Sequence, residues 1–244
     1  MRQTRIFIDT SLNRGQELPL PGSAANHVQR VLRLRAGASL VLFNGHGGEY
    51  SATLLRADRD ATVVRVGEHH AGDRESPLQL TLLQGVSRGE RMDTIVQKAT
   101  ELGVTRIQPV LTEFSVVKLD AEAAAKKRTH WQAVAIGACE QCGRNRVPEI
   151  AAPMDYATAL ADSSLQPGLR LLLAPDASQS LVNAAQGTAL TLLIGPEGGL
   201  SEREVRQAER VGYMGCSVGP RVLRTETAPL AALALLQGLL GDLL

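Results

Sequence analysis

Residues 190–227 read LTLLIGPEGGLSEREVRQAERVGYMGCSVGPRVLRTET. The apolar run 190–194 suits a buried strand, and Gly195-Pro196-Glu197-Gly198-Gly199 ends it abruptly. Ser201 stands three residues before Glu204, the spacing of a capping box, and Val205, Ala208 and Val211 follow at helical intervals. The stretch therefore reads strand, glycine loop, helix. Residues 215–218 read as a second short strand broken by Gly219-Pro220, and an apolar helix is predicted over 229–240. Glycines let backbone approach a ligand, free N–H groups at a helix start face its polar groups, and successive strand ends of an open α/β sheet line one crevice. Taken alone, either loop also fits an ordinary tight turn.

Working outward, the same alternation continues upstream. Strands are predicted over 78–84, 105–110 (stopped by Pro109) and 169–174; helices over 91–102 (closed by Gly103) and 121–138. Alternating strands and helices mean an α/β fold whose parallel sheet is covered on both faces. The front of the chain differs. Short strands over 5–9, 39–43, 49–55 and 61–66, separated by Gly- and Asp-containing turns, suggest a small barrel or sandwich. Between the first two, a helix over 24–34 puts Val28, Val31 and Leu32 on one face, with Arg30 and Arg33 on the other. The polar, Gly- and Pro-containing segment 71–77 sets the expected domain boundary, 1–72 and 73–244.

With 244 residues, 44% hydrophobic and 21% charged, the chain has enough apolar mass for a full core. Its net charge of +1 hides a gradient, from +3 over residues 1–72, where every basic residue is arginine, to −3 over 151–244. Guanidinium groups contact phosphate bidentately, so nucleic acid is one candidate partner and a plain solvated surface the other. Three cysteines form no disulfide framework, no apolar run reaches membrane length, and Met1-Arg2-Gln3-Thr4-Arg5 lacks a signal-peptide core. A cytoplasmic protein without membrane association is expected.

Other motifs fall away. Gly215-Cys216-Ser217-Val218-Gly219 fits a nucleophile elbow, but no histidine follows it, the last being His130. Cys139-x-x-Cys142 lacks the second pair that a structural zinc site needs, so no metal is expected. Neither a phosphate-cradling G-x-x-x-x-G-K nor a dinucleotide G-x-G-x-x-G is present. His69-His70 reads as surface, and Trp131 and Phe114 as core or interface residues.

The paired loops I-G-P-E-G-G-L-S (194–201) and G-P-R-V-L-R-T-E-T-A (219–228) resemble those of the RsmE-type ribosomal RNA methyltransferases, in the SPOUT class of S-adenosylmethionine enzymes. The likeness extends to Ser87-Arg88-Gly89-Glu90-Arg91-Met92, to 97–104, to 139–149 and to His27-Val28-Gln29-Arg30-Val31-Leu32-Arg33, so it spans nearly the whole chain. Phe114 departs from the pattern, which is polar or basic there. The resemblance implies a PUA-like RNA-binding β-barrel in front of a SPOUT α/β domain. It also implies a trefoil knot, threaded through a loop near 176–189, where spacing alone would draw an unknotted sheet.

It further implies a homodimer that methylates N3 of a uridine in the 16S RNA of the small ribosomal subunit. Alternatives are a transfer RNA target, or an RNA-binding assembly factor with a vestigial pocket. S-adenosylmethionine is assigned to Leu172, Leu173, Ala174, Ile194, Gly195, Pro196, Glu197, Gly198, Gly199, Val218, Gly219, Leu223, Arg224, Thr225 and Thr227. Uridine N3 carries a proton at neutral pH, so the chemistry needs a proton acceptor and a cation. Arg224 is the cation candidate; Glu101, Glu140 and Glu226 compete as acceptors. Arg5, His27, Arg30, Arg33, Arg88, Lys98, Arg144 and Arg146 are the candidate RNA contacts, with Arg35 extending the front ridge.

Overall fold

A computed structural model describes residues 3–58 and 61–244; Met1, Arg2, Arg59 and Asp60, two of the front arginines among them, lie outside the described residues. Two compact units emerge. One runs to Glu75 and takes in Cys139–Val147; the other is Ser76–Ala138 with Pro148–Leu244.

The first unit carries β1 (Thr4–Phe7), β2 (Glu17–Pro19), β3 (Ser39–Phe43), β4 (Glu49–Ala57) and β5 (Thr62–His70), hydrogen-bonded in the order β1-β3-β4-β5-β2. Period-two alternation turns Leu40 and Leu42, Ala52 and Leu54, and Val64 and Val66 onto one buried core. The strand β2 is too short to carry an alternation and was invisible in the pattern. Helix α1 (Gly22–Asn26) passes into a π-turn at His27–Val31, where Leu32 N–H donates to the His27 carbonyl at 2.9 Å. That wider turn breaks the expected apolar face, leaving Val28 buried but Val31 67% exposed.

The segment Cys139–Val147 belongs to this unit through buried polar chemistry. The Arg5 guanidinium pairs with Glu49 and donates to Asn145 Oδ1 (2.5 Å) and the Arg144 carbonyl (3.2 Å). Arg144 in turn pairs with Glu75 at 2.6 Å, and Glu75 also accepts the Asn145 and Arg146 N–H groups. No hydrophobic periodicity announces such a return, so contiguous boundaries were the natural expectation.

In the second unit, parallel strands run in the order β12-β10-β11-β6-β7-β8: β6 (Gln79–Gly85), β7 (Arg106–Leu111), β8 (Glu149–Ile150), β10 (Leu169–Leu173), β11 (Ala189–Ile194) and β12 (Met214–Cys216). A further short strand, β9 (Met154–Asp155), also pairs with β7. Central β6 and β11 are buried along nearly their whole length, as a sheet covered on both faces requires. The helices are α2 (Glu90–Glu101), α3 (Ala121–Cys142, which from Cys139 on belongs to the first unit), α4 (Tyr156–Ala161), α5 (Leu181–Ala184), α6 (Glu202–Arg210) and α7 (Thr227–Leu240).

Pro109 does not stop β7. The Ile107 carbonyl accepts from Ala151 N–H, and Pro109, two residues on, faces the same side, where the neighbouring chain passes from β8 to β9. In that gap the Ala152 carbonyl accepts instead from Gln108 Nε2 at 2.8 Å, so the ladder tolerates a residue without an N–H.

The expected capping box is present: Ser201 Oγ accepts from Glu204 N–H (3.3 Å), while the Glu204 carboxylate accepts from Ser201 N–H (2.9 Å). Helix α7 buries Ala232, Leu233 and Leu236, yet leaves Leu235 and Leu239 exposed.

Candidate active site

Because β10, β11 and β12 are parallel, the loops that leave them emerge at one sheet edge. They enclose a cavity of about 860 Å³, within the size range of a drug-sized ligand site. Every cofactor candidate named from the sequence lines it except Gly198 and Thr227. Thr227 begins α7 and spends its N–H on the Arg224 carbonyl. The apolar wall comes from Leu172, Leu173, Ile194, Val218 and Leu223.

The first loop is a tight turn in which Gly199 N–H donates to the Pro196 carbonyl at 2.9 Å. Gly199 has φ +72°, a conformation that other residues adopt only with strain. The capping box uses two N–H groups at the start of α6, so the backbone of residues 195–199, more than the helix end, faces the cavity.

Buried Thr225 joins the two loops. Its hydroxyl donates to the Gly195 carbonyl (3.2 Å) and lies 3.1 Å from Ser87 Oγ, and Gln84 Nε2 approaches it at 3.4 Å. The segment after β12 thus crosses from the sheet's edge to the ends of β11 and β6. Thr225→Val keeps the shape but removes the hydroxyl. It is expected to cost about 1–3 kcal/mol in urea unfolding, because the Gly195 carbonyl loses its closer donor inside the protein and keeps only Gln84 Nε2 at 3.4 Å.

Charge gathers at one side of the cavity. Arg91, on α2, pairs with Glu197 at 2.9 Å and reaches Glu226 at 3.6 Å; Arg88 N–H also donates to Glu197. Partial burial pushes the Glu197 carboxyl upward, but the Arg88 N–H, its own N–H and the Arg91 guanidinium outweigh it and hold the group below its ordinary 4.5. The stability this contributes is present above that ordinary value and lost as pH falls through the lowered one. The difference in urea midpoint between wild type and Glu197→Gln, followed between about pH 3 and 6, should therefore shrink toward zero at the acid end.

Of the catalytic candidates, Arg224 and Glu226 line the cavity, and Arg224 forms no salt bridge among the described residues. Glu101 and Glu140 lie outside its walls. Glu101 pairs with Lys98 at 2.8 Å; Glu140 belongs to the first unit, accepts Phe7 N–H, and is raised above its ordinary value by burial. Arg5 and Arg144 are buried in the network around Glu75, away from any approaching phosphate. Arg146 pairs with Asp73, and Lys98 with Glu101. His27, Arg30, Arg33 and Arg88 are exposed. In the sequence Arg91 stands only as part of a motif; its role as the link between two cavity carboxylates depends on where α2 places it beside the loops. Among the described residues no cluster of ligating side chains fits a metal. Cys139 is buried and its thiol pushed up to about 12 by burial, unsuited to ligation or redox exchange.

Residues 74–237 match the RNA methyltransferase domain family, and residues 20–66 the RNA methyltransferase PUA domain. The ribosomal RNA small subunit methyltransferase E of Buchnera aphidicola is 32% identical over 243 residues, covering 99% of this chain and 98% of its own. This chain belongs to the ribosomal RNA small subunit methyltransferase E family. The Bacillus subtilis member is 32% identical, with 94% of each chain covered. Among solved structures, the Neisseria gonorrhoeae member bound to S-adenosylmethionine superposes with a TM-score of 0.91 at 37% identity, covering all of both chains. A Legionella pneumophila protein, also solved with that cofactor, gives 0.96 at 42%, again covering both chains fully. A family member is thus recognisable both in its front PUA domain and in its methyltransferase sheet.

Proposed function

We propose that this methyltransferase E family member transfers the methyl group of S-adenosylmethionine to N3 of one uridine in 16S ribosomal RNA. The observation that carries the reading is the cavity itself, built from the two loops that the sequence assigns to the cofactor. Its residues fit the group: aliphatic side chains suit the adenine, loop backbone suits the polar edges, and the carboxylates of Glu197 and Glu226 suit hydroxyl or ammonium donors. The cofactor supplies an activated methyl group.

The chain's own residues do the rest. Arg224, free of ion pairs among the described residues, stabilises the negative charge that builds on the uracil oxygens as N3 loses its proton. Glu226 takes that proton, being the acceptor candidate on the cavity wall. The residues of the two loops would hold the cofactor with its methyl carbon presented to N3, the electron pair of the former bond being left on sulfur. The crossing of the segment after β12 over β10 and β11 supports the trefoil knot of the family resemblance. Exposed Leu235 and Leu239 on α7 support a homodimer. Free cysteines and the lack of a described helix able to cross a membrane support a cytoplasmic location.

The test offers labelled cofactor to small ribosomal subunits lacking the modification, to naked 16S RNA and to bulk transfer RNA, then maps the labelled base. Label at a single uridine N3 of the small subunit is expected. Label confined to transfer RNA would overturn the target, and no label from folded protein would overturn the activity.

A further inference from the structure

The chain has three phenylalanines and one tryptophan, and they divide sharply. Phe43 and Trp131 are buried, and Phe7 packs edge-on against Phe43 at 5.6 Å. Phe114 is 44% exposed, so of the two places expected for it the core is ruled out. Leaving that much aromatic surface in water forfeits burial that the other rings obtain.

The backbone that carries the ring is also held in place. Residues 112–115 form a turn closed by Ser115 N–H donating to the Thr112 carbonyl (3.0 Å), with Ser115 Oγ accepting from Thr112 N–H (3.0 Å). Glu113 N–H donates to Glu204 at 2.8 Å, and the Glu113 carboxylate accepts from Ser201 Oγ at 3.0 Å. The turn is therefore clamped to the capped start of α6. Phe114 Cβ lies so near Gly198 that a side chain there would meet it at 2.8 Å. Gly198 sits between two cavity-lining residues, Glu197 and Gly199, so the aromatic ring stands at the rim of the cavity without forming its wall. Exposed arginines sit on the adjoining segments: Arg203, ion-paired with Glu113 at 3.3 Å, and Arg88, whose backbone N–H reaches Glu197.

An exposed aromatic on a clamped turn, with arginines on the adjoining segments and a methyl-donor pocket beside it, has the chemistry that receives an unpaired nucleobase and its phosphates. We propose that Phe114 is a stacking platform for the base next to the methylated nucleotide of the RNA substrate, an inference that rests on the function proposed above. The neighbouring base is named because the ring lies outside the wall that the reacting base would face.

The experiment compares full-length wild type with Phe114→Ala, Phe114→Leu and Phe114→Tyr. It measures kcat/KM for methyl transfer, the affinity for naked 16S RNA without cofactor turnover, and cofactor affinity by calorimetry. Leucine keeps an apolar contact with Gly198 but has no π-face. Both F114A and F114L are expected to lose roughly 5- to 150-fold in kcat/KM and weaken RNA binding, the range for one stacked base. F114Y is expected to stay within about threefold of wild type, and all four to bind cofactor alike. Wild-type behaviour in F114L would overturn the proposal, since packing on the loop would then suffice; so would a loss of cofactor affinity that accounts for the whole defect. Should the wild type itself methylate no RNA, the proposed function falls, while the RNA affinities of the series still decide the role of Phe114.

Discussion

Arg224→Ala is expected to lower methyl transfer by about 100- to 1000-fold, the cost typical of removing one group that stabilises developing charge. Binding of S-adenosylmethionine should stay within about threefold, since a group that acts on charge built up during reaction contributes little to the ground state. The side chain lines the cavity without an ion pair among the described residues, so its removal strands no carboxylate and leaves the loops' hydrogen bonds untouched. Single-turnover rates with saturating RNA, set beside calorimetric cofactor affinity, separate the two effects. A collapse of cofactor affinity would place Arg224 among the binding residues. Arg224→Lys should fall between, since it restores charge but not the planar fork.

Gly195→Ala acts on the other half of the problem. A Cβ at Gly195 would sit 2.7 Å from the Gly199 carbonyl carbon and 3.0 Å from its Cα and oxygen, all backbone atoms that cannot swing aside. The turn must open, and with it the cavity floor and the Gly195 carbonyl held by Thr225. Overpacking of this kind costs about 1–3 kcal/mol, which for a chain of this size lowers Tm by roughly 2–12 °C. Cofactor affinity should fall at least about tenfold, because the residues on both sides of the bend line the cavity. Unchanged affinity in a folded variant would mean that the bend is structural only.

Much of this architecture was readable because local chemistry and tertiary packing agree. The Ser201–Glu204 box marks the start of α6 in sequence and in space, and the buried runs of β6 and β11 announce a covered parallel sheet. What escaped the sequence depends on partners far along the chain. Pro109 looks like a stop until the break between β8 and β9 is seen beside it. Arg5 and Arg144 look like phosphate ligands until Glu49 and Glu75 are found against them. The π-turn at His27–Val31 shifts the exposed and buried sides in a way that no period of 3.6 foretells. At the site, the lining came from loop glycines and resemblance together, whereas Arg91 and Phe114 took their meaning from neighbours roughly 100 residues away in sequence.

The tie between Thr225 and Gly195 also has a bearing on time. A ribosome making this chain extrudes β6, β10 and β11 well before Thr225, so the sheet can exist while the pocket still lacks a wall. Cofactor can be captured only after the downstream segment has crossed the strand ends and docked. A pocket walled by both segments is therefore complete only when the fold is.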